Sequence, residues 1–380
     1  MKRRCCTAAL LGLVVAPAIA RDPRTEGPGK GSRRGGREPT PARAARSRES
    51  AAGPRYEGHA AAMQFADDLA TRRAWDVDWV RRQIGNARLV PAVQRLIMPP
   101  PAGTAKNWAA YRARFIEPAR IQAGKSFWDA HARWLDRAEA EYGVPAEIIV
   151  GIIGVETFYG RIMGRFRVLD ALATLSFDFP SGRSDRSGFF QEELEHLLEL
   201  AQRDHVSTEH IEGSFAGALG LAQFMPGSVI RFGVDFDGDG RTDLVGSAAD
   251  AIGSVARYLA AHGWQRGMAT HHDVLPPADA AARATLLAPD IIPSFSAQQM
   301  QALGAQLGAD GLAHGGPLAL VELQNGDGPA SHVAGTQNFY VVTRYNWSSY
   351  YAMAVIELAS AVALARRATT SQRPKAITGS

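Results

Sequence analysis

Twelve residues near the middle of the chain limit its architecture more than any other stretch. Ala146 to Thr157 reads Ala-Glu-Ile-Ile-Val-Gly-Ile-Ile-Gly-Val-Glu-Thr. Wound as a helix, Ile148, Ile149, Val150, Ile152, Ile153 and Val155 leave almost no polar side, and a helix that is apolar all round is a core helix. Gly143-Val144-Pro145 stops the amphipathic stretch before it, and Pro145 suits the first turn of the new helix. Near the far end of this helix stands Glu156. A carboxylate is almost never fully buried unless it is paired or functional. Apolar surroundings disfavour its charged form and raise its pKa. An acid kept protonated near neutral pH is what general acid catalysis requires. The plain alternative is a helix-end glutamate paired with Arg161 or Arg165.

The remaining pattern is mostly helical. Apolar spacing predicts helices over Ala60–Thr71, Trp79–Leu89, Trp108–Phe115, Ala119–Tyr142, Gly188–Asp204, Gly227–Phe232, Asp250–His262 and Tyr350–Arg366, with a fainter one over Ser296–Leu307. Strand-like patches cover Leu318–Glu322 and Phe339–Thr343. There are no internal repeats. The expected class is mainly α (α+β), with a small β part.

The formal net charge of +4 first suggests an acidic partner, but its distribution removes that suggestion. Residues 1–54 hold 12 of the 42 Lys and Arg and 4 of the 38 Asp and Glu, which leaves 30 basic against 34 acidic residues over 55–380. The folded part is mildly acidic, which argues against nucleic acid as a partner. Met1-Lys2-Arg3-Arg4, the apolar run Thr7–Pro17 and Ala18-Ile19-Ala20 predict a secretory signal peptide over 1–20. Residues 21–54, rich in Arg, Gly and Pro, are expected to be a disordered basic linker. The catalytic domain is expected over 55–366 and a tail over 367–380. Both cysteines, Cys5 and Cys6, fall in the leader, so disulfides and cysteine-ligated metals are excluded from the processed chain. They precede the apolar run instead of following it, so no lipid anchor is expected.

Three further segments carry chemistry. Gly213-Ser214-Phe215-Ala216-Gly217-Ala218-Leu219-Gly220-Leu221-Ala222-Gln223-Phe224-Met225-Pro226 is dominated by small residues that let backbone approach another surface closely. Gln223 offers hydrogen bonds, and Phe224 and Met225 an apolar floor. The plain alternative is a tight turn between helices. Asp235-Phe236-Asp237-Gly238-Asp239-Gly240-Arg241-Thr242-Asp243 begins like an EF-hand calcium loop, with Gly240 in the sixth place. The twelfth place is Gly246, not Glu, so Asp250 is the candidate closing ligand. Four acids so close together repel one another without an ion, and calcium is favoured over a solvated turn. Gly335 to Asn346, followed by Ser348 and Tyr351, mixes aromatics with amides, which suits sugar faces and N-acetyl groups. An ordinary strand and turn with half-buried tyrosines is the alternative.

Taken together and in order, Val155-Glu156-Thr157-Phe158-Tyr159-Gly160, Val168-Leu169-Asp170-Ala171-Leu172-Ala173-Thr174-Leu175, the Gly217–Pro226 segment, the aspartate loop and Tyr345-Asn346 resemble the lytic murein transglycosylase B family. The resemblance runs from about Tyr56 to Ala365. It implies a lysozyme-like core with an added helical domain, and cleavage of the β-1,4 bond between N-acetylmuramic acid and N-acetylglucosamine with a 1,6-anhydromuramic acid end as product. Carried over by residue, Glu156 matches the single catalytic acid. Tyr111, beside Trp108, and Ser214, Gln223, Phe224, Met225, Tyr258, Tyr340 and Tyr345 match substrate-contacting positions. The family's basic pair is broken here, and Arg183 and Arg186 stand as its replacements. The resemblance also implies structural calcium, to which the loop offers Asp235, Asp237, Asp239, Arg241, Asp243 and Asp250. It further implies peptidoglycan glycan strands as partner, cell-wall synthases as candidate protein partners, and a periplasmic location. A hydrolytic muramidase of the same fold and a non-catalytic peptidoglycan-binding protein are the rival readings.

Overall fold

The computed structural model describes residues 53–99 and 106–371. The expected signal peptide, nearly all of the basic linker and residues 372–380 of the tail lie outside the described residues. Four helices, α1 (Ala60–Arg73), α2 (Val77–Gly85), α3 (Pro91–Leu96) and α4 (Trp108–Arg112), precede the long α5 (Pro118–Tyr142). Gly143 ends α5 in the left-handed conformation that glycine adopts without cost. The expected core helix follows as α6 (Ala146–Thr157), and Ile149, Val150, Ile152 and Ile153 are fully buried. Helices α7 (Val168–Phe177), α8 (Ser187–Arg203), α9 (Pro226–Phe232) and α10 (Ala248–Ala261) continue the main body. Strands β1 (Phe166–Arg167) and β2 (Glu212–Gly213) pair antiparallel beside α7.

A smaller unit is inserted after α10. It holds α11 (Ala280–Leu287), α12 (Ala297–Ala302), α13 (Ala309–Leu312) and strands β3 (His271–Leu275), β4 (Gln306–Leu307), β5 (Ala319–Asn325) and β6 (Gly328–Gly335). The sheet order is β4-β3-β6-β5, all pairs antiparallel, over its own core of Val274, Leu286, Met300, Leu307, Leu318 and Leu320. The chain then returns through α14 (Gln337–Thr343) to α15 (Ser349–Ser371), which lies along α6. The approach is close: a Cβ added at Gly151 would fall 2.6 Å from the Val355 carbonyl oxygen. Each fully buried Ile or Val at such a contact contributes about 1.5–3 kcal/mol of hydrophobic stabilisation.

The fold is mainly α with a small β part, and three expectations need correction. Phe339–Thr343 reads as a strand by composition but is the body of α14. The Thr336 hydroxyl caps that helix by accepting Asn338 N–H, and the Asn338 side chain donates to the Gln265 and Met268 carbonyls. Packing of buried Phe339, Val341 and Val342 then outweighs their β preference. The pattern over Ser296–Leu307 splits into α12 and β4, with Gly304 left-handed between them. The last helix runs past Arg366 to Ser371, into the expected tail.

Candidate active site

The end of α6 is bent out of the helix by three left-handed residues in a row, Phe158 (φ 51°), Tyr159 (φ 56°) and Gly160 (φ 87°). For the two aromatic residues this costs about 1–2 kcal/mol each. The turn is held from several sides. Thr157 is buried, with its hydroxyl 3.1 Å from the Leu221 carbonyl, and it accepts Gly160 N–H. The Gln223 amide donates to the Met163 and Gly220 carbonyls. The small-residue loop over 213–226 is thereby tied to the end of α6, which places Glu156 at the base of a pocket.

That pocket is lined by Tyr111, Phe115, Arg120, Val155, Phe158, Ile162, Asn346 and Tyr351 together with Glu156. Among the described residues that line it, Glu156 is the one carboxylate. The Tyr351 hydroxyl donates to Glu156 Oε1 at 2.5 Å. Burial pushes the Glu156 carboxyl up to about 7, and the hydrogen bond from Tyr351 opposes that rise. Tyr351 is thus the partner of the carboxyl, while Arg161 lies over the Phe158 ring at 4.8 Å.

Of the expected substrate-contacting residues, Tyr111 lines this pocket; Phe224, Tyr258 and Tyr345 form an aromatic cluster joined to it through Tyr351. Tyr111 is pushed up to about 12 by burial and by the Glu156 charge, with Arg114 opposing. Burial raises Tyr258 and Tyr345 as well, and both also feel Glu156. Tyr345 stacks on Tyr351 at 6.3 Å, and Phe224 packs at 5.5 Å from Tyr258 and 5.7 Å from Tyr345. The Tyr345 hydroxyl donates to the Ala222 carbonyl and that of Tyr258 to the Arg344 carbonyl. An aromatic wall therefore leads from α10 to the acid. Ser214 is buried and its hydroxyl accepts Ala216 and Ala218 N–H, which shapes the loop. Met225, half-buried, is the cap residue of α9.

Phe224, Tyr258 and Tyr345, the loop residues just described, Tyr340, Arg183 and Arg186 are not among the residues that line the pocket. Tyr340 packs on Trp347 at 5.9 Å and under the Arg344 guanidinium. Arg183 donates to the Ile97 carbonyl and covers Phe179, and Arg186 covers Phe189 at 4.5 Å. Sequence reasoning passed over Tyr351, Asn346 and Arg120. The first two stood within the quoted aromatic-amide stretch, so the signal was present. Arg120 had none, since an arginine in an amphipathic helix is ordinarily solvated.

The aspartate loop connects α9 to α10. Carboxylate oxygens of Asp235, Asp237 and Asp250 lie within 4.8 Å of one another. Asp250 is 1% exposed and accepts Phe236 and Asp243 N–H. Its carboxyl is pushed up first by burial, with the Asp237 charge adding. Asp239 and Asp243 instead accept backbone N–H groups of their own turns, from Arg241 and from Val245 and Gly246. Arg241 is exposed in the same loop. Three convergent hard oxygens, one of them buried, fit a calcium ion, which would relieve their mutual repulsion.

Comparison with known proteins agrees with this geometry. The profile of the family described as Transglycosylase SLT domain matches residues 57–360. Membrane-bound lytic murein transglycosylase B of Escherichia coli (strain K12) is 41% identical over 319 residues, 80% of this chain and 83% of the relative. The catenated lytic transglycosylase SltB1 from Pseudomonas aeruginosa superposes with a TM-score of 0.75 at 39% identity, over 82% of this chain and 99% of that one. The Escherichia coli lytic transglycosylase SLT35, solved with bulgecin A and also with calcium, has a TM-score of 0.72 at 39% identity, over 83% of this chain and 96% of its own. The chain therefore belongs to the lytic murein transglycosylases, lysozyme-like enzymes that cleave the β-1,4 bond between N-acetylmuramic acid and N-acetylglucosamine and leave 1,6-anhydromuramic acid ends.

Proposed function

We propose that Glu156 alone carries both proton transfers of this cleavage. Protonated Glu156 gives its proton to the glycosidic oxygen as the C1–O4 bond breaks, and N-acetylglucosamine leaves with a free 4-hydroxyl. The N-acetyl group of the muramic residue stabilises the oxocarbenium-like state. Ionised Glu156 then takes the proton of the C6 hydroxyl, and that oxygen closes on C1. No water is consumed. The observation that carries this reading is the placement of Glu156, the one carboxylate among the described residues lining the pocket, bonded to the Tyr351 hydroxyl; burial raises its carboxyl to about 7, which suits an acid that becomes a base.

Most glycosidases employ two carboxylates. Glu156 is the one carboxylate among the described residues lining the pocket, which favours the intramolecular route over hydrolysis. Holding C6–OH near C1 can lower the barrier by about 7–11 kcal/mol in favourable cases. Tyr111 and Tyr351, which line the pocket, suit the sugar faces that this requires.

The substrate is the glycan strand of peptidoglycan, and the leader supports export to the periplasm. Calcium at Asp235, Asp237 and Asp250 is structural in this reading, and pins the loop between α9 and α10. Digestion of purified sacculi followed by mass spectrometry of the released ends tests the reaction. Anhydro ends, one water lighter than reducing ends, are expected; reducing ends alone overturn it.

A further inference from the structure

Among the described residues lining the Glu156 pocket, Arg120 is the cation, and the proposed proton transfers leave it without a role. It is 8% exposed. Its position in the first turn of α5 puts the guanidinium 4.4 Å over the Phe158 ring and 5.2 Å from the Phe115 ring. Nη1 donates to the Gly154 carbonyl at 2.7 Å. Nε is shielded from solvent and makes no hydrogen bond. Glu117 Oε1, with which it forms a loose ion pair, is 3.8 Å away on a side chain that is 40% exposed. A largely buried cation whose donors are only partly satisfied is unfavourable, and the part of Arg120 that lines the pocket is placed to take an acceptor that arrives with the substrate.

We infer that Arg120 is a specificity-determining residue whose guanidinium, at the pocket wall, donates to an acyl oxygen of the bound amino sugar. This rests on the transglycosylase mechanism proposed for Glu156. The surroundings match an acyl arm: Phe115, Phe158 and Ile162 accommodate a methyl group, and the guanidinium meets the carbonyl oxygen beside it. Two groups on a glycan strand carry that combination, the 2-acetamido group and the lactyl arm of muramic acid. Both lie within one sugar ring of the bond that Glu156 protonates. The cation discriminates because, with the acyl oxygen missing, its donor stays unpaired.

The test compares the full chain with Arg120→Met, which keeps the stem and the ring contacts, and with Arg120→Lys, which keeps the charge. kcat/KM for release of anhydro ends is measured on native strands, on de-N-acetylated strands, and on strands whose lactyl carboxylate has been freed by an amidase. Variant-to-parent ratios cancel the intrinsic reactivity of each substrate. Arg120→Met is expected to lose about tenfold on native strands. If the acetamido group is the ligand, that loss disappears on de-N-acetylated strands. If the lactyl arm is the ligand, it grows several-fold once the carboxylate is free, and Arg120→Lys recovers part of it there. An equal loss on all three substrates assigns Arg120 to clamping Gly154 alone and overturns the inference. So does a Glu117→Gln variant with the same substrate profile as Arg120→Met. Absence of anhydro ends from the parent on native strands would instead refute the transglycosylase mechanism, so the two failures are distinct.

Discussion

The hydroxyl of Tyr351, near the start of α15, donates to Glu156 Oε1 across the interface between α15 and α6, at 2.5 Å. This bond favours the ionised carboxylate against the burial that opposes it. Tyr351→Phe keeps the ring on Tyr345 and removes the donor. The Glu156 pKa then rises further, and the alkaline limb of kcat/KM moves up by about 1 unit, a hydrogen bond to a charged group being worth about 1.5–3 kcal/mol. A pH–rate profile on purified glycan strands decides this, and an unmoved limb would mean that the bond does not act on the acid.

Glu156→Gln should end anhydro-product release, with a loss of about 10²–10⁴-fold for the proton transfer alone. It should also stabilise the fold. The native carboxyl, moved from 4.5 to about 7, holds its proton more tightly than the unfolded chain does. Ionisation therefore destabilises the native state progressively between these two pH values, and the penalty is complete above about 7. Its ceiling is about 3 kcal/mol at 1.36 kcal/mol per unit, reduced because part of Glu156 faces water in the pocket. The variant's gain in Tm should be larger at pH 8 than at pH 5. Equal gains at both would mean that the glutamate is not held against its charge.

Glu156 was legible in the chain because its helix leaves almost no polar face, so a carboxylate there demands an explanation. Asp250 was legible because the loop's twelfth place is Gly246 and some later acid had to close it. Tyr351 stood in the aromatic-amide stretch, but its pairing with Glu156 was not legible, because it joins helices that only the fold brings together. Of the sheet, the strand-like patch Leu318–Glu322 anticipated β5, while the other strands escaped for a further reason. His271-His272-Asp273 and Gly328-Pro329-Ala330-Ser331 lack the alternation of a half-buried strand. Their pairing, His271 opposite Gly335, joins segments that only the fold brings together. Local propensity likewise misread Phe339–Thr343, whose helix depends on the Thr336 cap and on the Asn338 side chain's bonds to the Gln265 and Met268 carbonyls.

The α6–α15 contact makes a prediction that separates helix propensity from packing. Gly188, near the start of α8, has open space where a Cβ would go, so Gly188→Ala should stabilise by up to about 1 kcal/mol. Gly151→Ala gains the same propensity but drives its Cβ to 2.6 Å from the Val355 carbonyl and 3.1 Å from the Ala359 Cβ. Backbone cannot swing aside as a side-chain tip can, so a net loss of about 1–3 kcal/mol is expected. Thermal melting of the two variants should show shifts of opposite sign. A rise in Tm for Gly151→Ala would show that the helices can separate at no cost.

The aspartate loop divides its carboxylates between two roles, and variants can pull these apart. Asp237 is exposed and receives one hydrogen bond, from the Ser247 hydroxyl. Asp250 is buried and accepts two backbone N–H groups. With a chelator present, Asp237→Ala should melt within about 0.5 kcal/mol of the parent, as surface changes usually do. Asp250→Asn should fall by about 1–3 kcal/mol under the same conditions, because turning one carboxylate oxygen into an amide leaves a buried N–H without its acceptor. Calcium at a hundredfold excess over its Kd should add about 2.7 kcal/mol to the parent. Both variants should lose most of that gain, since each removes one of three converging oxygens. A full calcium response in Asp237→Ala would place the ion elsewhere and leave Asp250 as a cap for the loop's own backbone.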